Sequence, residues 1–449
     1  MKKIFLLCIL VFFFSSCGRG GRVLPEAEPF LYDLDFMMNA LEADFALFDA
    51  AYWIRGVDIH ELADNARADI LATREIDEYI FGDILAYNFA RLFGFAHFGI
   101  LTPRNIANPN PCMIRNFGDP DELAQAAMDF GLDEHDSFMI ALMFSEGINA
   151  LDELPEMHEF LSELIGLELA DEFVRAIMDA DFYGFLHFWV DAVELAPDRT
   201  TMEIIQPGRI AYIAVLSPIH AISYYEAEIM EFFGEVEDFE HLIIDLRGNS
   251  GGFPEPFFQL LISPIISRPI VAEGFAFMRD GSQPVRRHAM ISQGMSAGPV
   301  QPLAQILAEN ELPELNMRDM ERLEYGFRIR MELRPNMRAG ANYGREPAFN
   351  GKIWLLTDGQ TSSAAQIASW AVKETGFATI VGDVTHGNYG GVRSFTRLPN
   401  SDIWVEFDLY YVTDSQGRPL EAGTIPHYFN RPGMDAMESV LAIIAEGAY

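Results

Sequence analysis

The stretch LIIDLRGNSGG at residues 242–252 decides the fold class of this chain. A short apolar run that ends in glycines is typical of a buried strand followed by a tight turn. Gly251 and Gly252 allow positive φ and let bare backbone N–H groups face a ligand oxygen. An oxyanion hole requires such N–H groups, although a plain glycine-rich connection between a strand and a helix explains the same letters.

Apolar runs of the same kind recur on both sides of this stretch. Short strands that alternate with helices favour an α/β core that extends from about residue 205 to the end of the chain. Further strands are predicted at residues 209–216 (RIAYIAVL), 353–356 (IWLL), 378–381 (ATIV) and 403–412, and helices at 363–375 and 434–445.

The first 200 residues have a different pattern. Apolar residues recur at helical spacings between residues 30 and 95, and again between residues 120 and 200. The chain has 449 residues, which is more than one compact core usually organises. We therefore predict a helical region at 28–110, a second helical region at 111–204, and the α/β core at 205–449.

The N-terminus has the features of an export signal. Lys2 and Lys3 precede an apolar run at residues 4–14, which is too short for a membrane span but fits a signal peptide. The run ends in Ser-Ser-Cys, which resembles the lipobox of bacterial lipoproteins, with Phe14 where that pattern prefers leucine. We predict a signal peptide at 1–17, a lipid on Cys17 and a tether at 18–27; an ordinary cleaved signal is the alternative.

This prediction makes the protein an exported lipoprotein of the cell envelope, anchored in a membrane on its periplasmic or outer-surface side. No other stretch is long and apolar enough to predict a transmembrane helix. The formal net charge of −36 repels phosphates, so nucleic acid is not an expected partner. No H-E-x-x-H motif or Cys/His cluster with zinc spacing occurs, so we expect neither a metal nor another cofactor.

A second segment that can carry chemistry is TSSAAQ at residues 361–366, between a predicted strand and a predicted helix. Ser363 at a helix N-terminus lies beside unpaired N–H groups that can stabilise a developing oxyanion, so it is a candidate nucleophile. The same letters also fit a capping box, in which Ser363 and Gln366 only begin the helix.

Taken together, the two segments resemble the tail-specific (C-terminal processing) serine protease family, which includes the tricorn core protease. In that family a D-L-R-x-N-x-G-G turn precedes a T-x-S-A-x-E helix, a G-x-x-T-x-G turn and an E-G-x-G-I-x-P-D segment. This chain has GDVTHG at 382–387 and LEAGTIP at 420–426 in the expected order. The resemblance implies a crotonase/ClpP-like α/β protease core at roughly 205–445, and peptides or unfolded protein segments as substrates.

The resemblance also implies the residues of the site. Ser363 is the expected nucleophile, and the backbone of Gly251, Gly252 and Ala364 is the expected oxyanion hole. The tricorn-like branch has its histidine in a short segment before the core, which FAHFGIL at 95–101 resembles, so His97 is the expected base. Its glutamate follows the serine by nearly sixty residues, which implies Glu421 as the residue that orients His97.

Two departures from the family leave alternatives open. Processing proteases carry a dyad lysine where this chain has Asn388, so a serine/lysine mechanism would need Lys352 or Lys373 from elsewhere. His386, in the same turn as Asn388, is an alternative base. The region at about 120–200 has a helical pattern with few strand runs, so we predict no PDZ domain and do not transfer the specificity for protein tails.

Two other functions compete with an active serine endopeptidase. One is a catalytically inactive relative that acts as a ligand-binding or protein-binding lipoprotein, which the missing lysine favours. The other is an acyl-CoA enzyme of the related crotonase fold, against which the Ser363 helix and the signal peptide argue. Contact between His97 and Ser363 would discriminate between the first of these and the peptidase. The substrate, the cleavage preference and the oligomeric state do not follow from the sequence.

Overall fold

A computed structural model describes residues 27–101, 200–215, 219–252, 254–280, 296–335, 337, 349–389 and 393–447. The predicted signal peptide, the tether up to residue 26 and most of the second helical region lie outside the described residues. The predicted absence of a PDZ domain falls on that same region. Within the described part, no helix is long and apolar enough to cross a membrane.

The described helices confirm the predicted N-terminal helical region and alternate with strands in the core. They are α1 (Glu28–Asp44), α2 (Ala50–Arg55), α3 (Ile59–Ala72), α4 (Glu78–Phe89), α5 (Glu226–Val236), α6 (Leu303–Glu309), α7 (Ala364–Thr375) and α8 (Ala436–Glu446). A short turn at Glu255–Phe257 continues as the π-helix Phe258–Ile262, and 3₁₀ helices lie at Ala90–Leu92, Ile219–Tyr225 and Leu420–Ala422.

The described strands form three sheets. They are β1 (Gly99–Leu101), β2 (Thr200–Gln206), β3 (Ile210–Val215), β4 (His241–Asp245), β5 (Ile270–Met278), β6 (Ser296–Ala297), β7 (Gln301–Pro302), β8 (Tyr325–Leu333), β9 (Lys352–Thr357), β10 (Thr379–Gly382), β11 (Arg393–Arg397), β12 (Trp404–Asp408), β13 (Tyr411–Asp414) and β14 (Tyr428–Phe429).

The central sheet has the strand order β14-β10-β9-β4-β3-β2. All its neighbours are parallel except β2 and β3, which are antiparallel. This sheet confirms the α/β core predicted from the apolar runs, and it begins at Thr200, before the predicted start at 205. Because β4, β9 and β10 are parallel neighbours, the turns that follow them meet at one edge of the sheet.

Both faces of the central sheet are covered, as the continuous apolar runs require. On one face, Ile243, Trp354 and Val381 pack with α8, which presents Val440 and Ile444. On the other face, β4 and β9 contribute to the main core, which extends into the N-terminal helical region. Side chains alternate between the two faces along each strand, and therefore one strand serves two cores.

The other two sheets are antiparallel. One has the order β13-β5-β8-β6, with β7 also paired to β8, and the other has the order β1-β12-β11. The single strand predicted at 403–412 is wrong in this detail, because β12 and β13 belong to different sheets. The buried Leu409 and Tyr410 between them mark the change of sheet. Period-2 alternation continues across such a change and does not reveal it.

The N-terminal helical region docks on the sheet that contains β12. The ring of Phe45 lies 6.4 Å from that of Phe95 and 5.6 Å from that of Phe407, all three buried. Asp33 of α1 is also buried and accepts hydrogen bonds from the backbone and side chains of Asn400 and Ser401, in the turn between β11 and β12. These contacts bring residues before 101 to the edge where the three turns meet.

Candidate active site

The turns after β4 and β9 are joined by main-chain and side-chain hydrogen bonds. Ser362 N–H donates to Asn249 O at 3.0 Å, and Ser362 Oγ donates to Ser250 O at 3.2 Å. The carboxylate of Asp358 accepts from Gly248 N–H at 3.1 Å and from Thr361 N–H at 3.0 Å. The two motifs recognised in the sequence are therefore one structural unit.

Ser363 lies in the sharp turn from β9 into α7. Its backbone has φ 52° and ψ −123°, which a residue with a side chain rarely adopts, and its side chain makes no capping hydrogen bond. The interpretation of Ser363 and Gln366 as a capping box is therefore wrong. Gln366 instead donates from Nε2 to Leu420 O and to Thr424 Oγ1, both at 3.1 Å. A strained backbone at a serine whose hydroxyl does not cap its helix is typical of a functional residue.

Of the three predicted oxyanion residues, Gly251 packs against Ser363 and Ala364 follows it in the chain, and the three do not contribute equally. A Cβ at Gly251 would lie 2.6 Å from Ser363 Cβ, so only glycine fits there. The N–H of Gly251 donates to Asn249 Oδ1 at 2.9 Å and is therefore committed. Among the described residues, no hydrogen bond uses the N–H of Gly252 or of Ala364, the first residue of α7. Gly251 thus supplies space, and the other two residues supply candidate donors.

The structure brings His97 to Ser363 although they are 266 residues apart in the chain. His97 Nε2 lies 3.2 Å from Ser363 Oγ, which is hydrogen-bond distance. His97 Nδ1 lies 3.0 and 3.1 Å from the two carboxylate oxygens of Asp408, at the end of β12. His97 and Asp408 are both buried. The imidazole therefore bridges a serine hydroxyl and a carboxylate, one at each ring nitrogen.

The prediction that Glu421 approaches the second ring nitrogen of His97 is wrong, because Asp408 occupies that place. Glu421 is buried, and its two oxygens accept the N–H of Ala96 at 2.7 Å and of Tyr389 at 3.3 Å. Desolvation, and to a lesser extent the charge of Asp408, raise the pKa of Glu421 to about 8. Asp408 reaches the ring because β12 pairs with β1, which begins two residues after His97.

The alternative bases are engaged elsewhere. His386 Nε2 lies 3.1 Å from Arg55 Nη2, and burial together with the Arg55 charge lowers the pKa of His386. Lys373 Nζ donates to the carbonyl of Ile425, and Lys352 Nζ lies 5.1 Å from the ring centroid of Trp354. Asn388, at the position of the dyad lysine, accepts the backbone N–H of His97 at 2.7 Å. The geometry thus favours His97 as the partner of Ser363.

The described residues contain no cluster of three or more His, Cys, Asp or Glu side chains that could hold a metal ion.

The sequence of the core matches a known family. The model of peptidase family S41 matches residues 209–429, which include both motif turns, helix α7 and Asp408. The chain carries a peptidase family S41 domain. This finding confirms the resemblance to tail-specific proteases, and it makes the chain a serine-type peptidase whose substrates are peptides or proteins. None of the curated proteins matches the chain significantly.

Several solved structures are similar to the chain. A candidate peptidase from Parabacteroides merdae is 14% identical, with 93% of this chain and 96% of that one covered and a TM-score of 0.49. Mature CPAF is 13% identical, with 90% and 92% covered and a TM-score of 0.48. The tricorn protease is 19% identical over 53% of this chain and 18% of its own length, with a TM-score of 0.28.

Asp408 is a residue of the candidate site that was not predicted from the sequence. It lies in the predicted strand 403–412, where Glu406 and Asp408 alternate with apolar residues as on any half-buried strand. Only the pairing of β12 with β1 brings one of these two carboxylates to His97. The sequence shows only that Asp408 is a polar residue within a predicted strand. This does not identify His97 as the residue that it contacts.

Proposed function

We propose that this protein is an exported, lipid-anchored serine endopeptidase in which Ser363 is the nucleophile, His97 the general base and Asp408 the residue that orients the imidazole. The observation that carries the proposal is the pair of contacts of His97, with Ser363 Oγ at 3.2 Å and the Asp408 carboxylate at 3.0 Å. Serine–histidine–carboxylate catalysis requires this chain of contacts.

The first half of the reaction follows from these contacts. His97 Nε2 removes the proton of Ser363 Oγ while that oxygen attacks the carbonyl carbon of the peptide bond. The electron pair of the carbonyl moves to its oxygen, and the N–H groups of Gly252 and Ala364 stabilise the resulting oxyanion. Asp408 accepts a hydrogen bond from Nδ1–H and stabilises the imidazolium without taking its proton. When the carbonyl re-forms, the C–N bond breaks and His97 returns the proton to the leaving amine.

The second half releases the acyl group. Water attacks the ester that links the substrate to Ser363 Oγ, and His97 takes one of its protons. The ester bond then breaks, the proton returns to Ser363 Oγ, and the carboxylic acid product leaves. No external oxidant, reductant or metal is needed to balance either half.

The competing proposal, an inactive binding lipoprotein, was favoured by the missing dyad lysine. A histidine within hydrogen-bond distance of Ser363 Oγ removes that support, because the base no longer has to be a lysine.

The catalytic part of the proposal is tested with a fluorescent fluorophosphonate, which reacts with activated serines. The intact protein is expected to be labelled, and Ser363→Ala is expected to lose the label. Ser369→Ala is the matched control, since Ser369 lies on the same helix and its hydroxyl only donates to Ala365 O within that helix. Labelling of Ser363→Ala at the wild-type level would overturn the assignment of the nucleophile.

The anchor is tested separately. The apolar run at 4–14 and the Ser-Ser-Cys ending support a diacylated Cys17, because two acyl chains give stable membrane attachment. In cells fed a radioactive fatty acid, the wild-type protein should carry the label and fractionate with membranes. Cys17→Ser should lose both properties or fail to mature. A Cys17→Ser protein that stays on membranes in high salt would show that the anchor lies elsewhere.

A further inference from the structure

Two side chains from the C-terminal part of the core accept consecutive backbone N–H groups beside the imidazole of His97. Glu421 Oε1 accepts the N–H of Ala96 at 2.7 Å, and Asn388 Oδ1 accepts the N–H of His97 at 2.7 Å. Both distances are short for neutral N–H···O bonds. Neither bond involves the imidazole ring, so they do not orient the ring itself but the backbone that carries it.

This backbone does not hold its shape without help. Ala96 and His97 have φ values of 49° and 50°, the left-handed region, and neither is a glycine. Each such residue costs about 1–2 kcal/mol relative to the ordinary helical region. Two consecutive left-handed residues therefore persist only if the surroundings fix them. A relaxed backbone at either position would swing the imidazole away from Ser363.

The acceptors form a connected unit on the inner side of the turn. The second oxygen of Glu421 accepts the N–H of Tyr389, the residue after Asn388, at 3.3 Å. On the other side, Asp408 N–H donates to Ala96 O at 3.0 Å, so the strand that carries the orienting carboxylate also holds the turn. The N–H groups at 96 and 97 and the carbonyl at 96 are thus all bonded to the core.

We propose that Asn388 and Glu421 are positioning residues, which hold the left-handed turn at Ala96 and His97 through their backbone N–H groups and thereby keep the imidazole at Ser363. This inference rests on the proposed function, since it presumes that His97 is the base. It assigns to Asn388 a role at a position where the related processing proteases carry a lysine. It also replaces the predicted role of Glu421 as the partner of the ring.

The test uses the full-length protein and steady-state kinetics on a fluorogenic peptide, with active sites counted by complete fluorophosphonate labelling. Asn388→Gly removes the acceptor without adding strain, because Asn388 itself has φ 55° and glycine adopts that conformation freely. We expect kcat per labelled site to fall about 10–100-fold, the effect of a small misplacement of a catalytic group, with KM within about threefold. Asn388→Asp keeps an oxygen acceptor and tolerates left-handed backbone, so it should recover kcat to within about tenfold of wild type.

Glu421 is tested in the same assay. Glu421→Ala removes both acceptors and should lower kcat per labelled site about 100-fold. Glu421→Gln keeps one oxygen for the N–H of Ala96 and should lose clearly less. If Glu421 only stabilised the fold, both variants would show fewer labelled sites with an unchanged kcat per site. The kcat per site of Glu421→Ala would then equal that of Glu421→Gln.

The outcomes separate this inference from the proposed function. If Ser363→Ala is inactive and unlabelled while Asn388→Gly keeps the wild-type kcat per site, the peptidase proposal stands and the positioning role is overturned. If Ser363→Ala keeps its activity, the proposed function fails first. Loss of kcat in Asn388→Gly together with its recovery in Asn388→Asp supports the positioning role.

Discussion

The two halves of the active site are held in different ways. Ser363 lies where one strand of the central sheet ends, and its turn is bonded to the neighbouring turns, mostly through main-chain groups such as Ser362 N–H and Asn249 O. His97 lies on a strained turn outside that sheet, and side chains from positions about 290 to 325 residues later hold it. The serine is placed by sheet topology, and the histidine is placed by docking. Changes near the serine should therefore act locally, whereas changes far from His97 can still disable it.

The largest effect tests whether the two halves work as one unit. We expect Ser363→Ala and His97→Ala each to reduce kcat by about 10⁴–10⁶-fold, and the double variant to be no worse than either single one. Steady-state kinetics on the same peptide measures all three. Independent, multiplying losses would mean that the two residues do not act on the same proton.

The next effect concerns which carboxylate serves His97. Asp408→Asn keeps the shape but supplies an amide at Nδ1, which favours the wrong tautomer, so kcat should fall about 10³–10⁴-fold. Glu421→Gln should cost less, because Glu421 touches the backbone and not the ring. We compare the kcat values of the two variants at one pH, after circular dichroism has verified that both are folded. A larger loss for Glu421→Gln than for Asp408→Asn would reverse the assignment.

A change on the serine side should remain local. Gly251→Ala places a Cβ 2.6 Å from Ser363 Cβ at a backbone φ of 120°. We expect at least a 100-fold loss of kcat and a loss of about 1–3 kcal/mol in the free energy of unfolding. Gly248→Ala is the matched control in the same segment: it also has positive φ, but no atom lies within 4 Å of its Cβ. Equal loss of activity in both variants would attribute the effect to backbone strain and not to contact with Ser363.

A change on the histidine side should act at a distance. Asp33→Ala removes the buried carboxylate that joins α1 to the turn before β12, and it leaves the N–H groups of Asn400 and Ser401 unpaired. We expect the free energy of unfolding to fall by about 2–4 kcal/mol and kcat to fall with it. Denaturant unfolding and peptide kinetics measure both. Asp35→Ala, on an exposed carboxylate of the same helix that pairs with Arg67, should stay within about 0.5 kcal/mol of wild type.

The last effect concerns stability alone and is the pH dependence that Glu421 gives to it. Its pKa, about 8 in the fold, lies above the 4.5 of a free glutamate, so the folded carboxyl keeps a proton that the unfolded chain has lost. Its contribution to stability is therefore complete below pH 4.5 and declines as the pH rises to about 8, by at most about 1.4 kcal/mol per pH unit. Asp408 and the N–H groups of Ala96 and Tyr389 face this carboxyl, and Arg55 acts on it more weakly.

Denaturant unfolding of wild type and Glu421→Gln at pH 5, 6.5 and 8 measures this effect. The glutamine variant should gain in stability relative to wild type as the pH rises, whereas Glu311→Gln, at an exposed position, should run parallel to wild type. A constant difference between wild type and Glu421→Gln would show that Glu421 does not change its protonation in this range.

The serine half could be predicted from the sequence because its causes are local. Strands read from apolar runs and turns read from glycines place Gly251 and Ser363 at the ends of neighbouring parallel strands. The prediction of His97 as the base rested on the family resemblance. The sequence around this histidine, which lies between two phenylalanines, does not by itself indicate a catalytic residue. Asp408 and Asn388 could not be predicted, because their roles depend on the pairing of β1 with β12 and on the docking of a strained turn. The spacing of apolar residues along a short segment does not reveal which distant segment it pairs with.

The wide separation of His97 and Ser363 along the chain has a consequence for biosynthesis. The polypeptide is made from its N-terminus, so the histidine emerges long before the serine, and Asp408 and Glu421 emerge later still. A nascent chain, or one truncated before residue 408, carries the histidine without the groups that complete its site. The proposed mechanism of Ser363, His97 and Asp408 therefore requires a molecule whose synthesis and folding are nearly finished.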